Sequence, residues 1–175
     1  MHISIAETFQ HCPMCAAVAE IGGADPFHCH QCGHVHHFGP VTAVAAIVAD
    51  PSGQVLLLKR ARDPGKGKWG LPGGFVDANE TAETALVREV REEVNLELVE
   101  MRYLVSFPNR YVYRGVAIAV TDLFFVGRIE SFEAMAAQPG EIESWRFCHL
   151  SATELGQMAF PSNRRALEFF LDQHG

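Results

Sequence analysis

One stretch constrains this chain more than any other. Gly74 is followed after five residues by Glu80, and after seven more by Arg88-Glu89-Val90-Arg91-Glu92-Glu93-Val94-Asn95-Leu96. The spacing predicts a helix over residues 81–94. At 100° per residue Glu89, Glu92 and Glu93 share one face, because positions three and four apart are neighbours. Leu86, Val87, Val90 and Val94 fall on a different arc, which is expected to pack inward. Three adjacent carboxylates repel one another, and a salt-bridged surface helix would interleave lysines there. The spacing alone leaves two readings open: a solvated acidic face, or a set of hard oxygen ligands suited to Mg2+ or Mn2+.

The complete pattern closely resembles the box of the Nudix hydrolase family, and Trp69-Gly70-Leu71-Pro72-Gly73-Gly74 is similar to that family's lead-in. The family usually carries Gly where this chain has Asn95. That site lies just past the helix end, where a left-handed residue is wanted, and Asn is the second choice there. The resemblance implies an α+β fold, an α/β/α sandwich with a mixed sheet, over residues 40–175. It also implies hydrolysis of a nucleoside diphosphate linked to another moiety. On that resemblance Glu92 and Glu93 are expected to be Mg2+ or Mn2+ ligands, Glu89 a ligand or water activator, and Glu80 a further ligand or support. Arg88 is expected to orient the carboxylates by an ion pair. The backbone of Gly73 and Gly74 is expected to approach metal or phosphate, and Gly73 is taken as a metal ligand. Glu141 and Glu143, after Pro139-Gly140, are candidates for the general base.

Composition frames this. The 175 residues carry 14 Lys and Arg against 21 Asp and Glu, a formal charge of −7. Residues 77–100 hold eight acids and two bases, so most of that charge sits in one patch. An apolar fraction of 48% argues against a disordered chain. The acidic balance disfavours broad, metal-free binding to nucleic acid. No apolar run reaches the roughly 18 to 20 residues of a membrane helix, and no secretory signal is read at the N-terminus. Elsewhere, 41–49 and 54–59 are expected to form a β-hairpin across Asp50-Pro51-Ser52-Gly53. Strands are expected at about 97–107, 111–128 and 142–148. Ser151 is expected to cap a short helix by a capping box and Ser162 to cap a final one.

Residues 1–39 read as a separate domain. They contain four of the five cysteines and seven of the nine histidines. Cys12-Pro13-Met14-Cys15 and Cys29-His30-Gln31-Cys32 form two Cys-x-x-Cys pairs, which predict a closed tetrahedral zinc site, structural because no coordination position stays open. Gly33 suits the tight turn after the second pair. His28, His30, His34, His36 and His37 are expected at the surface. The cysteines are taken as reduced thiols of a cytoplasmic protein. Cys148 is expected to be a buried, inert thiol.

A zinc ribbon before a Nudix domain resembles the NADH pyrophosphatase branch and relatives acting on ADP-ribose or FAD. Phe107, Tyr111 and Tyr113 are candidates to stack a base, with packing in the strands as the alternative. Arg110 is a candidate phosphate contact. The expected function is therefore metal-dependent cleavage of the pyrophosphate in an ADP-ribose, NADH or FAD-like substrate. The alternatives are a nucleotide-sensing regulator with this fold, or a hydrolase of nucleotide-capped RNA. A homodimer is an expected assembly, and nucleic acid and membrane are not expected partners.

Overall fold

The computed structural model describes residues 2–174, apart from the side chain of His174. In chain order the elements are β1 (Ile3–Ser4), a 3-10 turn (Ala6–Thr8), β2 (Phe27–His28), β3 (Val35–His36), β4 (Val41–Val48), β5 (Val55–Arg60), β6 (Trp69–Gly70), β7 (Gly73–Phe75), α1 (Ala82–Val94), β8 (Leu98–Tyr113), β9 (Val116–Ile129), β10 (Ile142–Cys148), α2 (Ala152–Gly156) and α3 (Pro161–His174). They form two compact units: residues up to 40 together with 110–119, and residues 41–109 together with 120–175.

The larger unit is built on β4. It runs parallel to β9 from Val41 opposite Val120 to Val48 opposite Gly127, and antiparallel to β7, with Ala45 opposite Gly73. Both faces of β4 are covered, which is why its sequence is a continuous apolar run and not an alternation. Val44, Ala46 and Val48 pack with Leu86, Val90 and Val94 of α1. Ala45 and Ile47 pack on the opposite face with Phe124 and with Leu167 of α3. The result is a mixed sheet between helices, as expected.

Four expectations change. The turn after β4 forms, with the Asp50 carboxylate accepting from the backbone amides of Ser52 (2.8 Å) and Gln54 (2.9 Å). Yet 41–49 and 54–59 do not make a hairpin. They share one bridge, Ala49 to Val55, and β5 then pairs with β10 and β6 in a second sheet. Leu56 and Leu58 join the α1-side core while Val55 and Leu57 join the other. A strand buried on both faces has no alternation to reveal which sheet it will enter. The break expected between 107 and 111 is absent. β8 is one 16-residue strand turning into β9 through Arg114 and Gly115, whose φ angles are 48° and 84°. Pro108 falls within β8, which among the described residues pairs with β9 alone and is therefore an edge strand, where Pro is tolerated. Ser162 does not cap α3. The helix starts at Pro161, which suits a first helical position, and Ser162 is buried with its hydroxyl donating to the Asp122 carboxylate. Val87 shares the arc of Val94 but is 38% exposed. The segment after β9 covers the last turn of α1, where the Val94 carbonyl accepts from Ala136 N.

The N-terminal unit has a core of Cys12, Phe27 and Cys29 with Phe9 and Phe38 packed against it. β2 and β3 form a short antiparallel hairpin, and Ile3 and Ser4 pair in parallel with Val116 and Ala117. His28, His30 and His37 are exposed, whereas His34 and His36 are half-buried. The His36 ring stacks on Phe9 with centroids 5.1 Å apart. An imidazole alternates into this small core because too few aliphatic residues are available to fill it. Among the described residues, no helix is long and apolar enough to cross a membrane.

Candidate active site and four-thiol centre

Helix α1 begins with a reciprocal cap. Thr81 Oγ1 accepts from Thr84 N, and Thr84 Oγ1 accepts from Thr81 N. It ends at Asn95 in the left-handed conformation, φ 53° and ψ 39°. Asn there also donates its side-chain amide to Ala134 O at 2.7 Å, a bond Gly cannot make. Between these caps the carboxylates differ in environment. Glu93 is buried, 7% exposed, and Glu89 is mostly covered, while the Glu92 side chain is 53% exposed. Burial pushes the Glu93 carboxyl up to about 8 against the opposing hydrogen bond from Gly73 N. Burial likewise raises Glu89, with the Arg88 hydrogen bond working against it.

Arg88 ties this face together. Its Nε and Nη2 each reach a different oxygen of Glu80 at 2.8 Å, a two-pronged pairing. Nη1 donates to Glu89 at 2.8 Å and to Glu92 at 3.4 Å, and Nη2 also donates to Phe75 O at 3.1 Å. The Arg88 bond holds the Glu80 carboxyl down at about 2, and the two glutamates raise the guanidinium. Glu80 thus faces the arginine, and the oxygens of Glu89, Glu92 and Glu93 do not converge on one point. Among the described residues the only cluster of three or more converging ligand atoms is that of the four thiols.

The glycines before α1 are required by space. Gly73 N donates to Glu93 Oε2 at 2.8 Å, and Gly73 has φ 147°. A Cβ on Gly73 would overlap the Val44 carbonyl and lie 2.7 Å from Ala45 Cα. A Cβ on Gly74 would overlap the Glu89 carboxylate. The strand therefore passes against the acidic face with nothing but backbone between them.

The segment that returns to β10 brings Glu141 to this site. Gln138 N donates to Glu93 O at 2.8 Å, satisfying a carbonyl that the helix end leaves free. Glu141 O accepts from Ala61 N at 2.8 Å. The charge of Glu141 raises both Glu89 and Glu93. Glu143 points elsewhere, paired with Lys59 Nζ at 2.7 Å. Two residues not singled out in the sequence lie here: Arg62, whose Nη2 is 2.6 Å from Glu141, and Arg60, whose charge lowers Glu93. No local pattern announces them, since Arg62 and Glu141 meet only through the pairing of β5 with the segment before β10.

Of the base-stacking candidates, Phe107 is half-buried against the α3-side core with Arg165 4.1 Å above its ring. Arg110, Tyr111 and Tyr113 belong to the N-terminal unit. Tyr113 is 52% exposed, with Arg114 over its ring. Cys148 is half-buried, and burial raises its thiol.

In the N-terminal unit, the sulfurs of Cys12, Cys15, Cys29 and Cys32 all lie within 4.8 Å of one another. Cys12 to Cys32 and Cys15 to Cys29 are each 3.6 Å. A tetrahedron with Zn–S bonds of about 2.3 Å has edges of about 3.8 Å, so the spacing fits zinc. Each pair closes a matching turn: Ala16 N to Cys12 O and Gly33 N to Cys29 O, both 2.9 Å. Gly33 has φ 74°, as its position required, and Ala16 adopts φ 61° at the equivalent place. The amides of Cys32 and Gln31 hold the Cys29 thiol down at about 6 against burial, ready to act as a thiolate.

The family model of the NUDIX domain matches residues 39–170. An ADP-ribose pyrophosphatase of Methanocaldococcus jannaschii is 47% identical over 89 residues, 50% of this chain and 52% of that protein. An NAD-capped RNA hydrolase, NudC, of Chromobacterium violaceum is 33% identical over 61% of this chain and 40% of its own length. The chain thus spans about half or less of these relatives. A NUDIX hydrolase crystal structure from Nitrosomonas europaea superposes with a TM-score of 0.67 at 24% identity, covering 95% of this chain and 93% of that one, which establishes the shared fold.

Proposed function

The chain belongs to the NUDIX domain family, and from that premise we propose that it hydrolyses the pyrophosphate of a nucleoside diphosphate linked to another moiety, with ADP-ribose, NADH and FAD as the substrate class. The observation that carries this is the buried Glu93, hydrogen-bonded to Gly73 N and facing Glu89 and Glu141. Hard carboxylate oxygens set along one helix face against a glycine backbone suit a divalent cation. Glu89, Glu92, Glu93 and the Gly73 backbone would hold Mg2+ or Mn2+. That cation supplies screening of the pyrophosphate charge and a lowered pKa for the attacking water. Arg88 keeps Glu89 in place while Glu80 neutralises its remaining charge. Glu141 would take the proton of the water that attacks one phosphorus in line, while the other phosphate leaves with the bridging oxygen. It is preferred over Glu143, which Lys59 occupies away from the cluster.

The four thiols would hold zinc as a structural ion. A cytoplasmic homodimer acting on small molecules and not on nucleic acid completes the reading. The Chromobacterium relative supports a second reading, a capped RNA carrying the same pyrophosphate. Turnover of ADP-ribose, NADH, FAD and an NAD-capped oligonucleotide with Mg2+ or Mn2+ tests both. Glu92→Gln is expected to lower kcat by about 100-fold or more with an unchanged circular dichroism spectrum. Full activity of that variant removes Glu92 from the site.

A further inference from the structure

Glu141 sits in a place that electrostatics alone would not choose. Its backbone is tied through Gln138 to the Glu93 carbonyl at the end of α1, and like charges on the acidic face of that helix push its half-buried side chain away. Two contacts oppose this, and both come from the end of β5. Ala61 N fixes the Glu141 backbone at 2.8 Å, and the next residue, Arg62, reaches its carboxylate at 2.6 Å. On the other side Gln138 binds Glu93 O, and Ile142 N and Glu141 N both donate back to Gln138 O, at 3.2 and 3.4 Å. The residue is thus strapped between α1 and the end of β5, and Arg62 is the side chain its carboxylate pairs with.

Most surface ion pairs do little, and the Lys59–Glu143 pair nearby only spans two strands, β5 and β10, that are already paired. The difference at Glu141 is that its partner decides where the carboxylate points. We propose that Arg62 is a positioning residue, aiming the Glu141 carboxylate at the water beside Glu89 and Glu93. This rests on Glu141 being the base.

The test uses the full chain with ADP-ribose and Mg2+. Arg62→Ala is expected to lower kcat by about 10- to 100-fold, the scale of a displaced catalytic group, and to leave KM within about twofold. Arg62→Lys is expected to recover most of that loss. In a Glu141→Gln background, Arg62→Ala is expected to change kcat no further, because residues acting as a unit are not additive. An unchanged kcat in Arg62→Ala, a change confined to KM, or an additive loss in the double variant overturns the proposal. If Glu141→Gln alone keeps the wild-type kcat, the assignment of the base fails and the role of Arg62 falls with it. A low kcat in Glu141→Gln beside a normal Arg62→Ala removes Arg62 and leaves the base standing.

Discussion

At Gly73 and Gly74 two adjacent residues of one type meet different limits. A Cβ at position 73 would strike the backbone of β4, which cannot yield without breaking the sheet. A Cβ at position 74 would strike a side chain, Glu89, at the site itself. Gly73→Ala is therefore expected to lose about 3 kcal/mol or more of stability in urea unfolding. Gly74→Ala is expected to remain folded and lose divalent-cation affinity, measured by calorimetry. Similar losses of stability in both variants would contradict this division. Asn95 shows the same economy of position. The left-handed geometry at the helix end was legible from the box spacing, and the hydrogen bond to Ala134 was not, because Ala134 arrives from the far end of β9.

The N-terminal element has little besides its four clustered thiols to hold it together. Its apolar core is Cys12, Phe27 and Cys29 with a few flanking rings, too little to outweigh the ordering of about forty residues. Elemental analysis is expected to give close to one zinc per chain. Stripping it with a strong chelator at mildly acid pH is expected to remove hydrogen-exchange protection from residues 9–38 while the α1 amides stay protected. Protection that survives full zinc removal would show that the aromatic stack suffices. The pair spacing made this element readable, since metal ligation is local in sequence. The placing of His36 against Phe9 was not readable, because histidines in a His-rich stretch carry no signal of which ones turn inward.

For the whole molecule, the buried acid Glu93 and the half-buried Glu80–Arg88 pair give opposite pH responses. Glu93 has a folded pKa raised to about 8 from a usual 4.5. Its contribution is therefore fully present below pH 4.5 and is lost as pH rises to 8. Glu80, held down at about 2 by Arg88, contributes above its usual 4.5 and loses that as pH falls toward 2. In EDTA the melting temperature of the larger unit is expected to fall between pH 5 and pH 8, and excess Mg2+ is expected to flatten that fall, because the cation replaces the proton on Glu93. A melting temperature in EDTA that is flat or rising over this range would contradict the burial argument. The sequence by itself determined the acidic helix, its left-handed end at Asn95, the thiol pairs and the mixed α+β character, all of which rest on spacings of a few residues. Only the tertiary structure decided which carboxylate is buried, that β5 leaves β4 for β10, and that Glu141 and not Glu143 faces the site. Those depend on strand pairings across dozens of residues, where burial on both faces erases the local periodicity that a sequence can show.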